Sequence, residues 1–169
     1  NCAVWQSGET SVLIDLGVSV RALNQALHRI DMEIPNLSAV LLTHEHTDHI
    51  KGLATFVKKY ELPVYATFGT GAAILQKLPQ AKKNFRLFAG GETFFVDGLR
   101  VQSMPISHDA AEPVAYRIDG GGHQLGYVTD TGFLSDEVQQ IICGCDTVVL
   151  ESNHDVDMLR HGPYPFYLQ

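Results

Sequence analysis

The stretch Val40-Leu41-Leu42-Thr43-His44-Glu45-His46-Thr47-Asp48-His49 places three imidazoles and an aspartate within six positions, directly after an apolar run. Imidazole nitrogen and carboxylate oxygen are ligands that zinc, iron and manganese prefer. Side chains of an extended chain repeat with a period of two, so His44 and His46 point the same way. Asp48 and His49 fall where the strand breaks and a helix begins. The pattern predicts two ligands for one metal ion and two for a second; the alternative is a polar loop rich in histidine.

Size and composition predict a single globular domain over residues 1–169, with 45% hydrophobic and 18% charged residues. No apolar run reaches the roughly 18 residues that a membrane span needs, so no membrane association is predicted. Three cysteines, Cys2, Cys143 and Cys145, show neither a disulfide framework nor the spacing of a zinc knuckle. That usage is typical of the reducing cytoplasm, where we expect the protein to act.

The formal net charge is −7. Proteins that follow the phosphates of a duplex usually present a basic face, so this charge weakens a nucleic-acid interpretation without excluding it. Two divalent metal ions would add about +4 at the site itself, where the local field matters more than the net charge. Lys51, Lys58 and Lys59 could attract an anionic substrate, although a solvated helix face is the commoner meaning of such residues.

Apolar periodicity predicts a mixture of strands and helices. Two strands, 1–6 and 11–16, precede a helix with Ser19 as N-cap and an apolar stripe that runs from Val20 to Ile30. From Phe85 onward the pattern becomes antiparallel, with Asp97-Gly98 as a two-residue hairpin turn. Strands in two clusters, with helices after several of them, suggest two stacked sheets with helices outside.

Four further residues lie at strand ends: Asp15 is near the end of the predicted strand 11–16, and His108, Asp130 and His154 come just after predicted strands. Each has an ordinary structural interpretation. Asp15 could cap a turn, His108 could be a hydrogen-bonded loop histidine, and Asp130 could form the turn before Gly132. His154 could be a proton donor near a metal centre or a structural histidine at a strand end.

The His-x-His-x-Asp-His motif resembles the metal-binding motif of the metallo-β-lactamase fold superfamily of hydrolases. The flanking stretch 42–53 is similar to the bacterial WalJ/YycJ (VicX) family, as are 150–155, Met158-Leu159 and 162–165. The resemblance covers essentially the whole chain. It implies an α/β (α+β) fold, a four-layer αββα sandwich with the metals at one edge, and a chain truncated at both ends.

The resemblance also implies which residues bind metal. His44, His46 and His108 would bind the first ion, Asp48 and His49 the second, and Asp130 would bridge the two. Asp15 would hold a ligand histidine by its other ring nitrogen. The family carries one more ligand, a histidine in a Gly-His-Leu-Ser-Asn-like stretch that this sequence lacks, so the second site is predicted to be incomplete. The metal could be zinc, manganese or iron.

The implied activity is hydrolysis by a hydroxide that bridges two metal ions, with Asp48 orienting the nucleophile and His154 donating a proton. The resemblance favours phosphodiester hydrolysis, with DNA as substrate and an exonuclease as the activity. Two alternatives remain: a hydrolase of small thioesters, lactones or phosphate esters, and a non-catalytic regulatory partner that retains the metal site.

Overall fold

The computed structural model of the protein describes residues 1–151. Ten strands form two sheets of five. The first sheet contains β1 (Ala3–Ser7), β2 (Thr10–Ile14), β3 (Ala39–Leu41), β4 (Val64–Thr67) and β5 (Phe85–Phe88), in that order. The second contains β6 (Thr93–Val96), β7 (Leu99–Pro105), β8 (Val114–Gly120), β9 (His123–Val128) and β10 (Thr147–Leu150), in the order β10-β9-β8-β7-β6.

The two sheets differ in strand direction. In the first sheet β1 is antiparallel to β2, whereas β2, β3, β4 and β5 run parallel to one another. In the second sheet only β10 and β9 are parallel. The prediction that the segment from Phe85 belongs to the antiparallel part is wrong for β5, because this strand extends the parallel sheet beside β4. Strand periodicity alone does not reveal which neighbour a strand pairs with.

Five α-helices complete the described part of the fold: α1 (Val20–His28), α2 (Thr47–Ile50), α3 (Leu53–Lys59), α4 (Phe68–Lys77) and α5 (Asp136–Ile142). Ser19 caps α1 as predicted, since its hydroxyl accepts a hydrogen bond from Ala22 N. Ile30 was expected on the apolar stripe of this helix, but it is 56% exposed because α1 ends at His28. Two short 3₁₀ helices cover Ile34–Asn36 and Pro79–Lys83.

Three apolar clusters separate the layers. One lies between the first sheet and helices α1, α3 and α4, and includes Leu13 and Phe56. The second lies between the sheets, where Val12 and Ile14 meet Tyr116. The third lies between the second sheet and α5. Successive residues of β2 therefore face opposite cores, and the predicted αββα sandwich is confirmed.

The sheets are tied together beside the predicted metal motif. Tyr116 donates a hydrogen bond from its hydroxyl to Leu42 O at 2.5 Å, and Val114 N donates to Thr43 O at 3.0 Å. These bonds hold the segment that follows β3 against the start of β8. Because β2 and β3 are parallel, their carboxyl ends reach the same edge of the sandwich.

Candidate metal centre

The predicted site residues meet at this edge of the sandwich. Asp15 follows β2, the 44–49 segment follows β3, His108 follows β7 and Asp130 follows β9. The structure contains two groups of potential ligands: His44, His46 and His108, and His44, His49 and Asp130. Within each group the ligand atoms lie within 4.8 Å of one another. Residues far apart in sequence thus converge because each lies at the end of a strand.

The first group is half open to solvent. His44 is buried, whereas His46 and His108 are partly exposed. The Nε2 atom of His108 lies 3.1 Å from Nδ1 of His46. The His44 ring makes edge-on contacts with the rings of both, at centroid distances of 4.6 Å. Three imidazole nitrogens facing one point suit a divalent cation of the first transition row.

The second group combines imidazole with carboxylate. His49 Nε2 lies 3.1 Å from Oδ2 of Asp130 and 3.4 Å from Oδ2 of Asp48. The side chain of Asp48 is 68% exposed and lies at the rim, outside the tightest grouping. It is also contacted by Asn1, whose Nδ2 donates to Asp48 Oδ2 at 3.1 Å. In this geometry the two groups share His44, whereas the resemblance implied sharing through Asp130.

A buried hydrogen-bond network supports the cluster. Asp15 is completely buried and accepts hydrogen bonds from Thr43 N at 2.9 Å and from the Thr43 hydroxyl. His49 Nδ1 lies 2.8 Å from Oδ2 of Asp15. Thr43 Oγ1 also lies 3.0 Å from Nδ1 of His44. Because the threonine proton goes to Asp15, the oxygen accepts from the histidine ring, which leaves Nε2 of His44 without a proton and free to bind a cation.

Sequence reasoning did not assign a role to Thr43. A hydroxyl directly before the histidine motif, at the end of a buried strand, was the available signal. Its contact with Asp15 joins residues 28 positions apart. That pairing depends on the parallel alignment of β2 and β3, which the sequence pattern alone did not specify.

One atom in the cluster, His44 Nε2, is buried without a hydrogen-bond partner in the described part of the chain. Buried polar atoms normally have partners, and leaving one unpaired costs about 1 to 3 kcal/mol. Asp130 Oδ2 is buried as well, and it lies 3.1 Å from His49 Nε2. The donor set therefore fits divalent metal ions, which would supply the partner that His44 Nε2 lacks.

The charges of the cluster support the same interpretation. Burial, followed by the neighbouring histidines, lowers the pKa of His44 to about 3, so this ring is neutral at physiological pH. Burial also acts to lower the pKa of His49, but the hydrogen bond and charge of Asp15 and the charges of Asp130 and Asp48 outweigh it and raise the pKa. A cation between His49 and Asp130 would replace the proton that this environment favours.

The backbone at two site residues is unusual. Asp15 and Asp130 have φ values of 58° and 55°, in the left-handed region that non-glycine residues seldom adopt. Each follows the last residue of a strand by one or two positions. Aspartate tolerates this conformation better than most residues, and strain of this kind tends to occur at functional sites.

The loop that carries His108 is anchored by two glutamates. Glu45 Oε1 accepts a hydrogen bond from Ala111 N at 2.7 Å. Glu112 accepts from Gly69 N at 2.6 Å and from Gly90 N at 2.9 Å. The side chain of Glu45 turns to this loop. Its contact with Ala111, which positions His108, was missed by sequence reasoning.

The remaining candidates lie elsewhere. His154, predicted as a proton donor, is outside the described residues 1–151. His28 and His123 lie on α1 and β9, outside both ligand groups. Over the same described range, no helix is both long enough and apolar enough to cross a lipid bilayer.

Comparison with known proteins identifies the family. Residues 10–164 match the model described as the beta-lactamase superfamily domain. The chain belongs to this superfamily. It is 39% identical to exodeoxyribonuclease YycJ of Bacillus anthracis, over 95% of this chain and 61% of that protein. It is 32% identical to exodeoxyribonuclease WalJ of Streptococcus pneumoniae, over 100% of this chain and 64% of that protein. The predicted resemblance to the WalJ/YycJ family is confirmed, and the chain spans about three fifths of the length of these relatives.

Solved structures agree on the fold. The crystal structure of Zn²⁺-bound PqqB from Methylobacterium extorquens matches with a TM-score of 0.75 and 24% identity, covering 93% of this chain and 62% of that chain. The metallo-β-lactamase fold protein YhfI from Bacillus subtilis matches with a TM-score of 0.65 and 23% identity, covering 81% and 56%. The fold of the superfamily, together with the histidine and aspartate cluster, supports the binding of a divalent metal.

Proposed function

We propose that the protein is a metal-dependent hydrolase that holds two divalent ions, zinc or manganese or iron. His44, His46 and His108 would hold the first ion, and His49 and Asp130 the second, with Asp48 at its open side. The observation that carries the proposal is the pair of ligand groups, each with its atoms within 4.8 Å of one another. His44 Nε2, which belongs to both groups, is buried without a hydrogen-bond partner among residues 1–151.

When bound, such ions would ionise water near neutral pH and neutralise charge on the attacked group. The chain's own residues prepare this chemistry. Thr43 and Asp15 fix the ring orientation of His44 and His49, so that both present Nε2 to the cluster. Asp48 stays ionised at the rim. Burial acts to raise its pKa, but this is outweighed by hydrogen bonds from its own amide and from Asn1, and by the charge of the nearby His49, so the pKa is lowered. Its ionised, exposed carboxylate can therefore accept a hydrogen bond from a water molecule and orient it.

For the substrate we propose phosphodiester bonds of DNA, cleaved from an end. The support is the similarity to two proteins named exodeoxyribonucleases, at 39% and 32% identity. We further propose that residues 1–169 form one domain that acts in the cytoplasm, in keeping with cysteines that are free in the structure.

The test is incubation of the protein with Mn²⁺ or Zn²⁺ and end-labelled duplex DNA. We expect nucleotide release that EDTA abolishes and added metal restores. His108→Ala should reduce release by about a thousandfold, the scale expected when the ligand set of a catalytic metal is broken. His28→Ala, which removes a histidine far from the cluster, should leave release unchanged.

Two other outcomes would replace the proposal. Rapid turnover of thioesters or lactones without DNA cleavage would make the protein a small-molecule hydrolase. Tight metal binding with no turnover of any substrate would make it a non-catalytic regulatory partner.

A further inference from the structure

A basic cleft lies between α1 and α3, beside the metal centre. Its volume is about 460 Å³. The polar residues that line it include Ser19, Arg21, Asn24, Lys51, Thr55 and Lys59, and among residues 1–151 no carboxylate lines it. Three cations from two helices and a loop therefore face one depression.

The charge of this cleft opposes that of the chain. The protein carries a formal charge of −7, with 12 basic and 19 acidic residues. Within residues 1–151, Arg21, Lys51 and Lys59 take part in no ion pair, whereas Lys83, Arg100 and Arg117 are paired with carboxylates. Unpaired cations that share a cleft attract anions more strongly than isolated surface charges, because their fields add and the walls limit screening.

The cleft is joined to the metal centre by tightly packed backbone. Leu16 N donates to His49 O at 2.7 Å, and Gly52 N donates to Leu16 O at 2.9 Å. A Cβ atom at position 17 would lie 1.6 Å from Asp48 O and collide with it. Only glycine allows this approach, so the loop that opens α1 lies directly against the motif that leads to Lys51. Lys51, which lines the cleft, follows His49 by two positions, so the cleft begins close to the metal motif along the chain.

We propose that this cleft binds the backbone phosphates of the DNA strand next to the bond that is cut. The inference rests on the proposed function, since it assigns a substrate subsite to the same enzyme. Arg21, Lys51 and Lys59 contact phosphates, and Asn24 and Thr55 offer hydrogen bonds to the same oxygens. Contacts of this kind position a strand without reading its sequence.

The chain offers matched control residues for a test. Lys59 lines the cleft, whereas Lys58 lies beside it on the same helix and does not. Arg21 lines the cleft, whereas Arg29 lies at the other end of α1. Arg21→Gln combined with Lys59→Gln thus removes the same charge as Arg29→Gln combined with Lys58→Gln. Kinetics with labelled DNA, at several salt concentrations, compare the two double variants with the wild type.

We expect KM for DNA to be about tenfold higher in the cleft variant, while kcat changes little. The slope of log(kcat/KM) against log[salt] should become shallower by about 1.5, since two phosphate contacts are lost. As KM for DNA rises, the ratio of DNA turnover to turnover of bis(p-nitrophenyl) phosphate should fall. The control variant should match the wild type. Equal losses in both double variants, or an unchanged salt slope in the cleft variant, would overturn the inference.

A binding measurement separates this inference from the proposed function. If the wild-type protein releases no nucleotide, the proposed function fails. Fluorescence anisotropy with a short labelled duplex, in EDTA, still tests the cleft: weaker binding in the cleft variant alone supports it, and identical binding by both double variants refutes it.

Discussion

The two halves of the metal centre each contain a histidine whose Nδ1 faces an aspartate, but the surroundings differ. In one half His49 meets Asp15 at 2.8 Å, and both side chains are fully buried. In the other, His108 meets Asp109 at 3.2 Å, and the aspartate is 71% exposed. The buried pair shares a network with Thr43, whereas the exposed pair lies on a loop.

This difference indicates how each half acquires its geometry. Folding orients His49, because Asp15 and Thr43 are fixed by the ladder between β2 and β3. Among residues 1–151, no comparable buried network holds His46 and His108. Nδ1 of His46 and Nε2 of His108 face each other at 3.1 Å. The half with His49 is therefore organised by the fold, and the half with His108 depends on its metal ion and on the anchoring of its loop.

The largest effect should come from His44→Ala. Nδ1 of this ring faces Thr43, so only Nε2 is free to bind an ion. We expect the variant to lose the first ion and to reduce hydrolysis by about a thousandfold or more. His46→Ala should lose the same ion, and Asp130→Ala the second. Metal content after dialysis, measured by mass spectrometry, checks the prediction. Retention of both equivalents by His44→Ala would show that His44 is not a ligand.

The next effect concerns stability. Asp15→Ala should lower the free energy of unfolding of the metal-free protein by about 3 kcal/mol, because it leaves buried donors of Thr43 and His49 unpaired. Asp109→Ala, which removes the exposed partner of His108, should lower the free energy of unfolding by less than about 0.5 kcal/mol. Urea unfolding measures both. Similar losses for the two variants would contradict the claim that only one half is organised by folding.

A third effect depends on pH. The folded-state pKa of His44 is lowered from 6.5 to about 3, so the unfolded chain binds a proton that the folded chain excludes. Stability of the metal-free protein should therefore fall as the pH drops from 6.5 toward 3, by at most about 1.4 kcal/mol per pH unit from this group. The pKa of His49 is raised, so its contribution is present below 6.5 and is lost as the pH rises through the folded-state pKa.

Urea unfolding across this pH range, with EDTA present, separates the two histidines. His44→Gln should remove part of the acid-side loss, and His49→Gln part of the alkaline-side loss. Parallel stability profiles for His44→Gln and the wild type below pH 6.5 would be inconsistent with a neutral, buried His44.

These comparisons show what could be predicted from the sequence. The roles of Asp15, His108 and Asp130 were implied by the resemblance to the superfamily's motifs. Each lies at or just after the end of a strand, and these strand ends meet at an edge of the sandwich. The anchoring roles of Thr43 and Glu45 could not be found in this way. They depend on contacts between segments whose relative paths no periodicity describes, such as Glu45 with Ala111, which is 66 positions away.

The smallest effect should come from the loop anchor. Glu45→Ala removes the acceptor for Ala111 N, so the loop that carries His108 loses a fixed point. We expect metal affinity of the first group and kcat/KM each to fall by about tenfold, the lower end of what outer ligand-orienting contacts contribute. Calorimetric metal titration and steady-state kinetics measure the two quantities.

Glu45→Gln is the matched control, because an amide oxygen can still accept the Ala111 hydrogen bond. It should recover most of the lost affinity, whereas a purely electrostatic role for Glu45 would make the two variants equally impaired. The effect should also be confined to the first group. Within residues 1–151, Glu45 is hydrogen-bonded to Thr70 and Ala111 and to neither His49 nor Asp130, so the second ion should bind Glu45→Ala as it binds the wild type. Equal weakening of both ions would mean that the loop supports the whole centre, and the division into a half organised by folding and a half organised by metal would fail.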